Sequence, residues 1–150
     1  MRTIKFKAKR LFDSKWACGY FYEENDNTYI IEDYQKESML NRNISYKVDP
    51  DTLCQFTGFL DKNGKEIYEG DVLRSDKYPF NCVEDNEYGT IGWSKYEASF
   101  YMMMVKNSKL SVRGISECCG AISQKVMQNF EVVGSVHDAE WKVKLNLKSE

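Results

Sequence analysis

Proline and glycine are scarce in this chain: among 150 residues there are two prolines and nine glycines, while aromatics reach 14%. Disordered and collagen-like chains show the reverse balance, so a folded core is expected. The length suits one domain or two very small ones. A dominant charge is also missing. Lys and Arg number 21 against 23 Asp and Glu, for a net charge of -2. That argues against a general polyanion binder but leaves room for a local basic patch. Long apolar runs are absent too. The longest uncharged one, Ala98 to Val105, falls far short of the roughly 20 residues that span a bilayer. The first segment, Met1-Arg-Thr-Ile-Lys-Phe-Lys-Ala-Lys-Arg10, lacks the roughly 7–15 consecutive apolar residues of an export signal. The expectation is a cytoplasmic protein with no membrane partner.

Histidine is almost missing, with His137 alone, and the five cysteines (Cys18, Cys54, Cys82, Cys118, Cys119) contain no C-x-x-C. Structural zinc needs four Cys or His ligands at paired spacings. Adjacent Cys118 and Cys119 on a strand would face opposite ways. Reduced thiols, no metal and no cofactor are the reading.

The residues present favour strands: ten tyrosines, with many Val, Ile and Thr. Ile4, Phe6 and Ala8 alternate with Lys5 and Lys7, the period of a half-buried strand. Trp16–Tyr22 and Thr28–Asp33 read as a hairpin around a polar loop, Glu23-Glu-Asn-Asp-Asn27. Tyr34–Asn43 is ambiguous, and Ser45–Val48 is a further short strand stopped by Asp49-Pro50. Tyr88–Trp93, Ser99–Val105 and Phe130–Val136 read as strands, with an acidic loop at Asn81–Glu87 and a short helix competing near Ser116–Met127. Met102 and Met104 should fill core and Met103 should not. Short strands with frequent turns suggest a small barrel or sandwich.

The centre is the most specific part. Gln55-Phe-Thr-Gly-Phe-Leu-Asp-Lys-Asn-Gly-Lys-Glu-Ile-Tyr-Glu-Gly-Asp-Val-Leu73 carries Asn63-Gly64 between apolar runs, a strong hairpin signal requiring positive φ. Glu69-Gly70-Asp71 makes a second corner, with Asp71 bonding backbone amides. This stretch closely resembles the signature of the YopX family of phage and prophage proteins. Ile4–Ala8, Tyr88–Trp93 and Phe130-Glu-Val-Val-Gly-Ser-Val-His-Asp138 agree with it in order. Lys9-Arg10 stands where a Trp-Asp-like pair is expected, and the segment after Asp138 lacks an Asn-Pro-Glu-like ending. The resemblance implies a mainly β fold with an SH3-like barrel in the central and C-terminal parts, an N-terminal β-hairpin region and at most a short helix. In that reading the chain is a single YopX-like domain. Residues 1–50 form a β region packed on a barrel of residues 51–138, and residues 139–150 form a tail. The resemblance implies no defined catalytic residues.

The chemistry-bearing residues support no reaction. Asp61-Lys-Asn63-Gly64 has glycine at the wrong position for a calcium loop. Glu66, Glu69 and Asp71 lie close in sequence without a demonstrated cleft between them. His137 has no nucleophile placed beside it by any motif. Two classes of function remain. The first is a non-catalytic phage accessory protein that binds a host or phage protein through Tyr68, Trp93 and Tyr96. The alternative is a nucleic-acid-binding module using Lys5, Lys7 and Lys9. Its affinity would be weak and salt-sensitive, although the solvated face of an edge strand also explains the lysines. Homo-oligomerisation stays open. Asn63, Gly64, Gly70 and Asp71 are read as structural turn residues.

Overall fold

The computed structural model describes residues 3–32, 44–75, 88–106, 109–111 and 122–145, with side chains left undescribed at 104–106 and 109–111. Tyr34–Asn43, Asn81–Glu87, Cys82, Cys118, Cys119 and residues 116–121 of the expected Ser116–Met127 helix therefore lie outside the described residues. The chain divides into two compact units, Met1–Phe56 and Thr57–Glu150. The boundary falls six residues beyond the one read from sequence.

In the first unit the strands are β1 (Phe6–Lys9), β2 (Trp16–Glu24), β3 (Asn27–Glu32), β4 (Ser45–Val48) and the start of β5 (Cys54–Leu60). They pair antiparallel in the order β4-β3-β2-β1-β5. Alternation decides what is buried. Ala8 and Ala17 pair across β1 and β2 and Ile30 faces Tyr46, so Ala8, Ala17, Ile30 and Val48 form a core on one face. The β2–β3 loop is tighter than its polar sequence suggests. The ladder runs to Glu24–Asn27, leaving only Asn25 and Asp26, with φ of 49° and 59°. Both residue types tolerate the left-handed region, so a two-residue type I′ turn suffices.

The second unit contains the rest of β5, then β6 (Glu66–Tyr68), β7 (Asp71–Arg74), β8 (Tyr88–Ser94), β9 (Ser99–Lys106), β10 (Lys109–Ser111) and β11 (Glu131–Ser135). Two short helices join them, α1 (Gln124–Met127) and α2 (Ala139–Lys144). The sheet order is β10-β9-β8-β7-β11. The mainly β class is as expected, but the described strands make open antiparallel sheets and not a closed barrel. One face of this sheet packs Leu73, Ile91, Met102 and Val132 with Met127 and Phe130 from around α1. The opposite face packs Val72 against Trp141 of α2 and Leu145 just after it. Residues 139–144, read from sequence as tail, are thus a packed helix, because Trp141 and Leu145 stand one turn apart. Met102 is fully buried and Met103 half-buried.

The β5–β6 turn also departs from expectation. Gly64 has φ of 78°, yet Asn63 does not take positive φ. Gly64 N donates to Asp61 O at 3.0 Å, and Asp61 N donates to Lys65 O at 2.8 Å. This is a three-residue loop, a type I turn closed by one left-handed residue, so only the glycine needs that conformation. Asp61 is 3% exposed and accepts from Asn63 N (2.7 Å), Lys65 N (2.9 Å) and Val132 N (3.0 Å), tying the turn to β11. At the second corner Gly70 has φ of 72° and Asp71, 1% exposed, accepts from Tyr68 N at 2.9 Å.

Candidate protein-docking site

The residues proposed from sequence as one binding surface do not share one. Tyr68 is 4% exposed, with its hydroxyl donating to Glu66 Oε2 at 2.8 Å. That burial, with the hydroxyl already engaged by Glu66, corrects its assignment to a surface. Trp93 (41% exposed) and Tyr96 (90%) do lie together on the β8–β9 hairpin. There Trp93 meets Phe100 edge-on at 4.9 Å, and Lys95 reaches over Tyr96. Lys5, Lys7 and Lys9 lie on β1 and just before it, in the first unit.

A more defined site stands at the β1–β2 connection. The ladder ends at Lys9–Trp16, and Arg10 N donates to Lys15 O at 2.9 Å, so Leu11–Ser14 form a short loop. Ser14 N returns to Arg10 O at 2.9 Å, with Ser14 at φ of 56°. Leu11 N donates to Lys47 O, and Arg10 bridges to Val48, which fastens the loop to β4. The Arg10 guanidinium grips Asp13 with two hydrogen bonds, the Nε one at 2.8 Å, and lies 4.6 Å over the Tyr46 ring. Asp13 also accepts from Lys15 N at 3.2 Å. The hydrogen bonds from Arg10 hold the Asp13 carboxyl below its usual range, and the same pairing raises the Arg10 guanidinium.

This scaffold presents Leu11 (55% exposed) and Phe12 (99%) to solvent. An open recess of about 570 Å³ lies beside them, bordered by Arg10, Tyr46 and Lys47. Of its charged groups, Arg10 and Asp13 bind each other, and Lys47 is exposed beside them. Sequence reasoning missed Phe12. The available signal was an apolar pair, Leu11-Phe12, set directly before the turn residues Asp13-Ser14.

Among the described residues no group of three or more His, Cys, Asp or Glu could hold a metal ion, and none of their helices is long and apolar enough to cross a membrane. Comparison with known proteins places the chain. A family model described as YopX protein matches residues 5–140. The chain belongs to the YopX family. This YopX-family chain is also similar in fold to a protein solved as "Crystal structure of protein EF1440 from Enterococcus faecalis". The two share 20% identity at a TM-score of 0.50, over 97% of this chain and 99% of that one. No curated protein matches significantly.

Proposed function

We propose that this YopX-family protein is a non-catalytic binding module whose Leu11–Phe12 loop docks into an apolar pocket of another protein. The reading rests on Phe12, a whole aromatic side chain at 99% exposure on a loop already tied down by Arg10, Asp13 and Tyr46. Burying such a side chain contributes about 1.5–3 kcal/mol, the scale of an interface hot spot. Because the loop is ordered beforehand, little of that gain is lost to ordering it on binding. Lys15, with 75% of its side-chain surface open, and exposed Lys47 flank the tip. The fitting partner surface is therefore an apolar pocket with an acidic rim. Sequence resemblance suggests the setting: the bacterial cytoplasm, with a host or phage protein as partner.

The test is affinity capture from lysogenic or infected cells with wild-type protein, Phe12→Ala, Lys15→Glu and Tyr96→Ala. A captured protein that Phe12→Ala loses at least tenfold, and Lys15→Glu weakens, supports the reading. Loss confined to Tyr96→Ala would move the site to the β8–β9 hairpin. Phe12-dependent flotation with anionic vesicles would replace a protein partner with a membrane surface. Phe12→Ala should leave the melting temperature unchanged, since its ring packs on nothing.

A further inference from the structure

The outer edge of β4 is only half closed. β4 is the last strand of its sheet, laddered to β3. Glu32 N donates to Ile44 O at 3.2 Å. Antiparallel pairs alternate, so Tyr46 and Val48 also turn their backbone groups to β3, and Ser45 and Lys47 turn theirs away. Lys47 O accepts from Leu11 N at 3.0 Å, and Asp49 N donates to Lys9 O at 2.8 Å. The β1–β2 connection thus extends the sheet by one bridge, Arg10 opposite Val48. It then turns off, as Ser14 N closes on Arg10 O.

Beyond that point the edge offers Ser45 N–H, Ser45 C=O and Lys47 N–H. Among the described residues no hydrogen bond takes these groups. Ser45 and Lys47 are exposed. They front the open recess of about 570 Å³, which Ser45–Lys47 and the departing Arg10–Asp13 segment line together. The strand repeat sets the three groups within about 7 Å of one another. Backbone groups left open on a sheet edge are a template for one more strand. Side chains along this edge sort by face. Ile44, 46% exposed, shares a side with Tyr46, while Ser45 and Lys47 share the other.

We infer that this edge accepts an extended acidic peptide segment of another protein as an added parallel strand. Hydrogen-bond accounting selects the direction. In a parallel pair one segment residue bridges two residues of β4. Opposite Tyr46, it donates its N–H to Ser45 C=O and accepts from Lys47 N–H, while the carbonyl two residues earlier accepts from Ser45 N–H. That pairing uses the three open groups and leaves Lys47 O to Leu11. An antiparallel segment would aim an N–H at the carbonyl Leu11 already holds. Charge selects the occupant. Lys47 stands on the edge itself, and Lys15, with 75% of its side-chain surface open, lies on the connection beside it. A second copy's β4 would put two Lys47 ammonium groups on one short ladder. Carboxylates on the Lys47 side and apolar side chains on the Ile44–Tyr46 side complement both faces. The inference goes beyond the Phe12 docking reading and does not require it.

The experiment is a nuclear magnetic resonance titration of the nitrogen-labelled full chain with acetyl-Val-Asp-Val-Asp-amide over a millimolar range. The Ser45 and Lys47 amide protons should move downfield saturably and gain protection from exchange, as newly bonded amides do. N-methylating the second valine of the peptide removes its one bonding N–H and should weaken binding about fivefold. Ser45→Pro deletes an outward N–H that β3 does not use, a position where an edge strand tolerates proline, and should cost about the same factor. Lys47→Glu should invert the preference between this peptide and its Val-Lys-Val-Lys counterpart. Phe12→Ala should leave peptide affinity within about twofold, since it removes no backbone partner, so this inference and the docking loop succeed or fail separately. The inference is overturned if the Ser45 and Lys47 amides do not respond, or if the methylated peptide binds equally well; both readings hold even if Ser45→Pro fails to fold. It is also overturned if the chain dimerises with concentration and Ser45→Pro or Lys47→Glu changes that, which would give the edge to a second copy.

Discussion

Gly134→Ala should unfold one corner of the second unit by displacing a single tryptophan. Gly134 sits opposite Val72 where the β7–β11 register shifts. A Cβ built there would land on the Trp141 indole, overlapping Nε1 and Cδ1 and lying 2.9 Å from Cε2. The ring cannot retreat cheaply. Trp141 is 6% exposed, packs with Val72 and Leu145, and meets Tyr88 edge-on at 4.9 Å. A buried Trp covers about 150–250 Å², worth about 4–6 kcal/mol at 25 cal/mol per Å². Residual burial in the unfolded chain reduces this to about 3–4 kcal/mol. Gly134→Ala should therefore cost about as much as Trp141→Ala. In a Trp141→Ala background the same added methyl should be neutral within about 0.5 kcal/mol, a coupling of about 3 kcal/mol. Urea unfolding followed by far-ultraviolet circular dichroism measures all four corners of the cycle. A Gly134→Ala cost below about 1 kcal/mol, or additive penalties in the double variant, would refute this packing.

Three further outcomes are expected. Asp61→Ala leaves three backbone N–H groups without their carboxylate and should cost about 2–4 kcal/mol in the same urea assay. Asp71→Ala, which orphans the Tyr68 N–H, should cost about 1–3 kcal/mol; a smaller loss for Asp61 than for Asp71 would contradict the role given to Asp61. The Asp13 carboxyl, held below its ordinary value of 3.8 chiefly by the Arg10 hydrogen bonds, has a depressed folded-state pKa. The loop's ion pair should thus stay intact above that ordinary value and be lost as pH falls through the lower, folded-state one. Carbon-detected NMR titration of Asp13 checks this, and a midpoint at or above 3.8 would count against the pairing.

Much of the architecture follows from local rules that act within a few residues. Alternating side chains set Ala8 against Lys7 and Lys9, and Met102 against Met103, because a strand turns successive side chains to opposite faces. The glycines at 64 and 70 are needed where φ is 78° and 72°, since a Cβ there is strained by its own backbone. Family membership was legible for the same reason: the turn residues of Gln55–Leu73 are contiguous in the chain. What depended on partners distant in sequence was decided only by the tertiary structure. Trp141 of α2 is buried because Val72 and Tyr88, far earlier in the chain, pack against it. Leu11-Phe12 stands outward on a loop fastened to β4, where Leu11 N donates to Lys47 O and Arg10 lies over Tyr46. The lysines on and before β1 belong to an interior strand because β2 and β5 pair on its two sides. Exposure is a property of what packs against a side chain, and composition and spacing carry no record of which distant strand that will be.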